Sequence, residues 1–435
     1  VFNPSDDTRI RVIADYDTID EVCCGVNNIV QSPLEVFINS QTGAQVNANQ
    51  PLALSVQQNS DPTNEITNKG VSVQLDQNFD SFALTSITSF RKVDSNSSID
   101  ADFTTGDYLT NPIAIDIETF TQEVRLTSTG DGAIDWMIGG FYFDEKIDYE
   151  NRLDYGNDFR GFVDALVTAA GAPGAIGSLE TSLAGFFPAL APASTFFPAG
   201  GVVNELGTLD NKAYSFFAQA DWSITEFLTA TVGINYTDDE KEAMLVQPNS
   251  DEFSALDFDF LASAAADPTL VGLKEVQFLP PLLDFPNAVE DGKSHDDKLT
   301  YAFRLATDIS DGINAYASVS TGFKATSWNL SRDALPTAED LAAITSSLNL
   351  DPSLPNPIAT VESGARFAGP ENAKSYEIGL KTVFDRGSLN LAIFDQSIKG
   401  FQSNVFLGTG FNLVNAGEQS SRGIEFDLAY YPVDA

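Results

Sequence analysis

Apolar and polar side chains alternate along many short stretches of this chain, and these stretches come in pairs. The clearest pair lies in residues 210–241, DNKAYSFFAQADWSITEFLTATVGINYTDDEK. Tyr214, Phe216 and Trp222 fall on one side of this alternation, and Gln219 falls on the other. Because the side chains of a strand alternate with a period of two, the segment predicts two antiparallel strands joined by a tight turn, each with one apolar and one polar face.

The same pattern recurs over most of the chain. The strand-like stretches are residues 8–17, 71–76, 82–93, 120–128, 133–152, 299–320, 375–402 and 421–432. In residues 133–152 both faces carry apolar side chains, so the pattern alone assigns no inner face. Tight turns alternate with long connections, which we expect at about residues 18–68, 95–118, 157–209, 243–296 and 331–371. Within the third of these connections, FVDALVTAA predicts a short helix.

This two-sided rhythm predicts an all-β protein, an antiparallel transmembrane β-barrel. Outer-membrane barrels have short periplasmic turns and long extracellular loops, with apolar residues outside and polar residues inside. Tyr214, Trp222 and Tyr236 lie near strand ends, as expected for the aromatic girdles of such barrels. Loops above about 12–15 residues are uncommon in compact soluble domains. A soluble all-β protein remains the alternative.

Composition excludes several classes of function. The 435 residues include 62 acidic and 23 basic side chains, which gives a net charge of -39. Nucleic acid requires a basic surface, so no nucleic-acid partner is expected. The chain contains no apolar run long enough for a transmembrane helix, although barrel strands need no such run. Val1 begins in mid-pattern, without the basic and apolar segments of a signal peptide.

Side chains and motifs that support catalysis or metal binding are few in this sequence. The only cysteines are the adjacent Cys23 and Cys24, which either form a ring disulfide or pair elsewhere, and the only histidine, His295, is expected in a solvated loop. A Cys/His zinc site needs about four ligands. The serine-hydrolase motif G-x-S-x-G, the metalloprotease motif H-E-x-x-H and the nucleotide-binding P-loop are absent, and with 62 acidic residues chance explains pairs such as Asp238–Asp239. We therefore predict no enzyme, no cofactor and no metal-binding residue.

Several segments together resemble TonB-dependent outer-membrane receptors. They are FTQEVRLTS (residues 120–128), the hairpin of residues 214–241, NAYASVSTGFKATSWN (314–329), the segment 375–402 and NAGEQSSRGIEFDLAY (415–430). Their order and spacing carry the resemblance, which covers the barrel only. It implies a bacterial outer-membrane location and a 22-stranded barrel filled by an N-terminal plug. With about 12 strands and no plug or TonB box, residues 1–435 are expected to be one partial barrel domain.

The resemblance also implies a function, the active uptake of a scarce, bulky solute such as a ferric siderophore. The expected partners are this solute, the TonB complex through the missing N-terminal region, and outer-membrane lipid and lipopolysaccharide, with the chain itself a monomer. Divalent cations shared between the acidic loops and lipopolysaccharide are a further expectation. A passive porin-like channel and a soluble secreted all-β glycan-binding protein are the alternatives.

Six residues are candidates for contact with the substrate. Four are loop aromatics that can stack on a ligand, and two are arginines expected on the inner face: Phe186, Phe187, Phe196, Phe197, Arg125 and Arg304. The alternative for the aromatics is that they pack the loop on itself. The alternative for the arginines is that they pair with inner-face carboxylates such as Glu123 and Glu377.

Overall fold

The fold is dominated by one antiparallel sheet. The computed structural model describes residues 1–26, 28, 30–47, 52, 55–130, 132–246, 251–277, 292–330, 367–406 and 411–432. Within these residues the strands are β1 (Phe2–Ser5), β2 (Thr8–Glu21), β3 (Thr63–Asn78), β4 (Phe82–Asp100), β5 (Leu109–Ser128), β6 (Ile134–Tyr155), β7 (Val202–Thr225), β8 (Leu228–Val246), β9 (Lys293–Ser310), β10 (Ile313–Lys324), β11 (Ser327–Trp328), β12 (Phe367–Ala368), β13 (Glu371–Phe384), β14 (Gly387–Lys399), β15 (Gln402–Phe406), β16 (Phe411–Asn415) and β17 (Glu418–Tyr430).

Thirteen of these strands form the main sheet, in the order β1-β2-β3-β4-β5-β6-β7-β8-β9-β10-β13-β14-β17. Each strand pairs with its neighbour in the sheet, and every pairing is antiparallel. The remaining four strands form two small ribbons, β11 with β12 and β15 with β16. The antiparallel all-β prediction is confirmed, with one strand more in the main sheet than the expected number of about 12.

Short turns lie at one edge of the sheet and long connections at the other, as predicted. The turn between β9 and β10 has the sequence Asp311-Gly312, and its geometry requires the glycine. Gly312 has a φ of 96°, and a Cβ at this position would lie 2.6 Å from the carbonyl oxygen of Val383. Only glycine adopts this conformation without strain at such close range. We call the opposite edge, where the long connections start, the loop edge.

The strands reach further into the loop edge than the sequence pattern indicated. The polar connection expected from residue 18 to 68 was wrong at both ends, because β2 continues to Glu21 and β3 starts at Thr63. The loops expected at residues 95–118, 157–209 and 243–296 are shorter for the same reason. These extensions are held by backbone pairing. Those of β2 and β3 are mostly polar on both faces, whereas that of β5 carries Ile113, Ile115 and Ile117 in an alternation that the sequence analysis did not use. Most of the loop expected at 331–371 lies outside the described residues.

Helices occur only in the long connections of the described chain. They are α1 (Pro33–Thr42), α2 (Phe159–Ala169), α3 (Ala175–Phe186), α4 (Phe258–Ala265) and a 3-10 helix at Pro268–Val276. The predicted helix in FVDALVTAA is confirmed by α2. The sequence pattern missed α1, although Ser32 and Glu35 form a capping box at its start and Pro33 is its first residue.

The two faces of the sheet differ in chemistry. We call the face that carries Phe216, Ile378, Ile393 and Ile424 the apolar face, and the opposite one the polar face. The isoleucines Ile378, Ile393 and Ile424 lie at one register on three successive strands and are 66%, 54% and 71% exposed. A continuous apolar band exposed to this extent is typical of a surface that meets lipid. In β6, whose faces the pattern left unassigned, Tyr142 is on the apolar face, because its cross-strand partner is Tyr214.

Candidate functional site

Helices and loop segments at the loop edge pack together into a small domain-like unit. We call this unit, formed by residues 156–201 and 251–277, the loop cap. Its core is aromatic, with Phe159, Phe196, Phe197, Phe253 and Phe258 each no more than 1% exposed. The ring of Phe253 lies 4.7 Å from that of Phe197 and 5.2 Å, edge to face, from that of Phe196. Aromatic pairs at such distances stabilise beyond their buried area.

The loop cap is anchored on the polar face of the sheet. Leu153, Tyr155 and Val203, near the loop-edge ends of β6 and β7, belong to the same buried cluster as the cap helices. Leu153 and Glu145 are an even number of positions apart on β6, so both side chains lie on the polar face. Val203 is the cross-strand partner of Leu153 and shares that face. The cap therefore covers the loop edge of the polar face.

The cap separates the four aromatic candidates into two groups. Phe196 and Phe197 are buried in its core, which is the packing role considered as the alternative for them. Phe187 is half-buried against the same core, at the end of α3. Phe186 is 81% exposed at the last position of α3. Of the four side chains, that of Phe186 is therefore the most accessible to a ligand.

Arg160 holds the parts of the cap together. Its guanidinium donates to Glu180 on α3 at 2.6 Å and to Asp164 on its own helix α2 at 3.0 Å. It also donates to the carbonyl oxygen of Phe196 at 3.2 Å, while the Phe196 N–H donates to Glu180 at 2.7 Å. One cation thus links two helices and the segment that carries the buried phenylalanines.

The connection between β4 and β5 is organised by carboxylates rather than by apolar packing. Asp102 accepts hydrogen bonds from the Thr104 hydroxyl at 2.6 Å and from the backbone N–H groups of Thr104 and Leu109, each at 3.0 Å. Asp100, fully buried, accepts from the N–H of Phe103 at 2.8 Å. Burial raises the pKa of Asp102 to about 6. The hydrogen bonds that its carboxylate accepts lower this pKa, and the charge of Asp100 raises it further. The carboxyl group of Asp102 therefore takes up a proton at a higher pH than an exposed aspartate does.

Both arginine candidates lie on the polar face, as expected. Arg125 donates to Glu123, two positions away on the same face, at 3.2 Å. Arg304 lies over the ring of Tyr316, with its guanidinium carbon 4.7 Å from the ring centroid. The first contact is the pairing considered as the alternative for Arg125. Arg304 instead makes a cation–π contact, and Tyr316 connects it to Glu377.

Tyr316 is the functional candidate that the sequence argument did not single out. Its hydroxyl donates to Glu377, and Lys381 places its ammonium 5.6 Å from the ring centroid. We call Arg304, Tyr316, Glu377 and Lys381 the Tyr316 cluster. It spans β9, β10 and β13 and combines two cations, an aromatic ring and one carboxylate on the polar face. The available signal was the polar-face position of one large aromatic residue among small polar residues in NAYASVS.

The two cysteines, for which the sequence left the pairing open, are bonded to each other. His295 was expected in a loop, and this was wrong, because it lies on β9. Its cross-strand partner on β8 is Glu240, since backbone pairing extends both strands past their apolar segments. None of the helices in the described ranges is both long enough and apolar enough to cross a membrane.

An extended antiparallel sheet with an exposed apolar band, a polar inner face and long loops at one edge defines the class of outer-membrane β-barrels. Residues 27–432 match the family model described as TonB dependent receptor-like, beta-barrel. The chain belongs to this family. The predicted family and the predicted bacterial outer-membrane location are confirmed, and the family is one of receptors rather than enzymes, as predicted.

Solved structures with the same fold include receptors and a transporter. The ferric yersiniabactin uptake receptor FyuA from Yersinia pestis is 14% identical, with a TM-score of 0.54 over 86% of this chain and 41% of its own. The siderophore receptor PiuA from Acinetobacter baumannii is 15% identical, with a TM-score of 0.54 over 98% of this chain and 52% of its own. The copper transporter OprC is 9% identical, with a TM-score of 0.52 over 86% of this chain and 45% of its own.

These identities are low, so the likeness is one of fold. The chain spans about half the length of the solved structures that it matches, with 41% of FyuA and 52% of PiuA covered.

Proposed function

We propose that residues 1–435 form one partial barrel domain of a receptor that takes up a bulky solute across the outer membrane, driven by the TonB complex. The observation that carries the proposal is the family match over residues 27–432. The loop cap and the Tyr316 cluster support it, because a folded cap and a charged, aromatic group both lie on the polar face, along which a solute would pass. TonB would act through a region outside this sequence.

The proposed substrate class is a ferric siderophore. FyuA and PiuA, whose fold this chain shares, are named as siderophore or ferric-siderophore receptors. Ferric siderophores are bulky and commonly anionic, and Arg304 and Lys381 offer two cations beside one ring on the polar face. The net charge of -39 opposes a general attraction of anions, so selective contact has to come from such local groups.

Among the candidate residues we propose two kinds of role. Phe186 on the cap, with Arg304 and Arg125 on the polar face, would touch the substrate. Phe196 and Phe197 would keep the cap folded, and Phe187 would contribute to both. We further propose that the protein works as a monomer surrounded by outer-membrane lipid and lipopolysaccharide, in agreement with the exposed apolar band.

Uptake of radioactive iron tests the proposal directly. Cells that express the full receptor would be supplied with 55Fe bound to siderophores of the catecholate, hydroxamate and phenolate classes, with and without a functional TonB. We expect accumulation of at least one complex, and we expect it to stop without TonB. Accumulation that persists without TonB, together with steady conductance in a planar bilayer, would instead support the passive channel. If no iron complex accumulates and copper, supplied in a parallel assay, does, the siderophore would be replaced by a metal ion.

A further inference from the structure

Three side chains that commonly bind metals meet on the apolar face, beyond its apolar band. Glu240 on β8 pairs across the strands with His295 on β9, and Asp238 lies two residues before Glu240. One ligand atom from each of the three side chains lies within 4.8 Å of the other two. All three share the face of Tyr214, whose cross-strand partner is Asp238. They therefore lie between the apolar band and the loop edge.

We propose that Asp238, Glu240 and His295 form a binding site for a divalent transition-metal ion, Zn²⁺ being the reference case. Imidazole and carboxylate together suit zinc, copper and nickel better than they suit calcium or magnesium. Zinc sites with three protein ligands keep a further coordination position for water. This departs from the expectation, drawn from the sequence, that the chain has no metal-binding residue.

The distance between two of the ligand atoms is close to the one that a shared metal ion requires. His295 Nε2 lies 3.0 Å from Asp238 Oδ2, within hydrogen-bonding distance. Two atoms that each lie about 2.1 Å from a tetrahedral zinc ion are separated by about 3.4 Å, so this pair needs to open by about 0.4 Å. The three ligand atoms lie within 4.8 Å of one another, so a carboxylate oxygen of the long Glu240 side chain needs to move inward by at most about 1.4 Å.

The backbone keeps the three side chains together without a metal ion. Both strands are paired continuously through this region, with Tyr236 opposite Leu299, Asp238 opposite Asp297 and Glu240 opposite His295. The imidazole is 58% exposed and the Asp238 side chain 29% exposed, so an ion can enter without rearrangement of the sheet. A bound ion would link β8 to β9 at the outer rim, on the side opposite the polar face, and would not lie on the path proposed for uptake.

Calorimetric titration of the metal-free full receptor in detergent with ZnCl₂ tests the proposal. We expect one ion to bind per chain in the wild-type protein, and we expect His295→Ala to weaken the affinity by about ten-fold or more. Glu240→Gln, which keeps the imidazole, should also weaken it. The matched control is Glu242→Gln, which removes the same charge from the next position of the same face of β8, and it should bind like the wild type.

A second measurement identifies the ligand atom. With Cu²⁺ as the probe, the electron paramagnetic resonance spectrum should show hyperfine splitting from an imidazole nitrogen, and His295→Ala should remove the contribution of this site, because residues 1–435 contain no other histidine. The proposal is overturned if the wild type binds no Zn²⁺. It is also overturned if His295→Ala retains full affinity, or if Glu242→Gln weakens binding as much as His295→Ala does.

Discussion

At the scale of single residues, burial decides what the four aromatic candidates do. Phe197 contacts Phe159 and Phe253 in the core of the loop cap, whereas the ring of Phe186 lies outside it. The sequence cannot separate these two roles, because both residues belong to FF pairs in apolar loop segments. The difference arises from tertiary packing, which buries one pair completely and leaves Phe186 81% exposed.

We predict that Phe197→Ala destabilises the loop cap by about 3–5 kcal/mol, because the substitution leaves a cavity that the surrounding packed side chains cannot fill. Limited proteolysis should then cut residues 156–201 faster, while the barrel remains folded. Phe186→Ala is the matched control, with an unchanged cleavage rate and, under the proposed function, weaker substrate binding. Equal cleavage rates for the two variants would contradict the assigned burial.

Protonation of Asp102 should make the connection between β4 and β5 more stable at mildly acidic pH. The folded-state pKa of Asp102 is raised from 3.8 to about 6, so the folded loop binds a proton more tightly than the unfolded loop does. The local stability therefore rises as the pH falls from about 6 to about 4, by at most about 3 kcal/mol, and it is lowest above pH 6.

Amide exchange of Leu109 and Thr104, corrected for the intrinsic rate at each pH, measures this change. Asp102→Asn has no titrating group at this position, so its corrected exchange should change less across the same range, with Asp100, whose pKa burial also raises, as the remaining titrating group of the loop. If the wild type and Asp102→Asn show the same pH profile, the carboxyl group of Asp102 is not the cause.

At the scale of elements, the alternation within strands was predictable and the strand ends were not. Apolar residues of β7 to β10 alternate where they meet lipid, so their strands could be located from sequence. The extension of β3, from Thr63 to Gly70, carries no such pattern because neither face meets lipid there. The helix α2 shows a strongly one-sided apolar pattern and was found, whereas α3 is less one-sided and lies among Gly, Ala and Pro, and α4 is short.

Arg160 should act on two elements at once. We predict that Arg160→Met loosens the contact of α2 with α3 by about 2–4 kcal/mol, because Glu180 is left partly buried without its cation. Exchange rates of the α3 amides and of Phe196 report the loss. Asp164→Ala, which removes the more exposed partner of the same arginine, should cost less than about 1 kcal/mol. Comparable losses in the two variants would show that Glu180 does not depend on Arg160.

At the scale of the whole molecule, the two faces of the sheet should differ in their tolerance of charge. Ile393 is 54% exposed in the middle of β14, between Ile378 and Ile424. Asn390, on the same strand, belongs to the polar face and lies 3.4 Å from Asp427. A lysine at these two positions therefore meets lipid in one case and a polar, acidic environment in the other.

We predict that Ile393→Lys destabilises the inserted barrel by about 2–4 kcal/mol, the cost of a lysine near the bilayer midplane, while Asn390→Lys costs less than about 1 kcal/mol. Urea unfolding of the full receptor in lipid vesicles, followed by tryptophan fluorescence, measures both values. The small effect of Asn390→Lys follows from its position, since Asp427 lies close enough to pair with the new cation. If the two variants lose the same stability, the apolar band is not the surface that meets lipid, and the loop cap and the Tyr316 cluster would no longer lie on the solute side of the sheet.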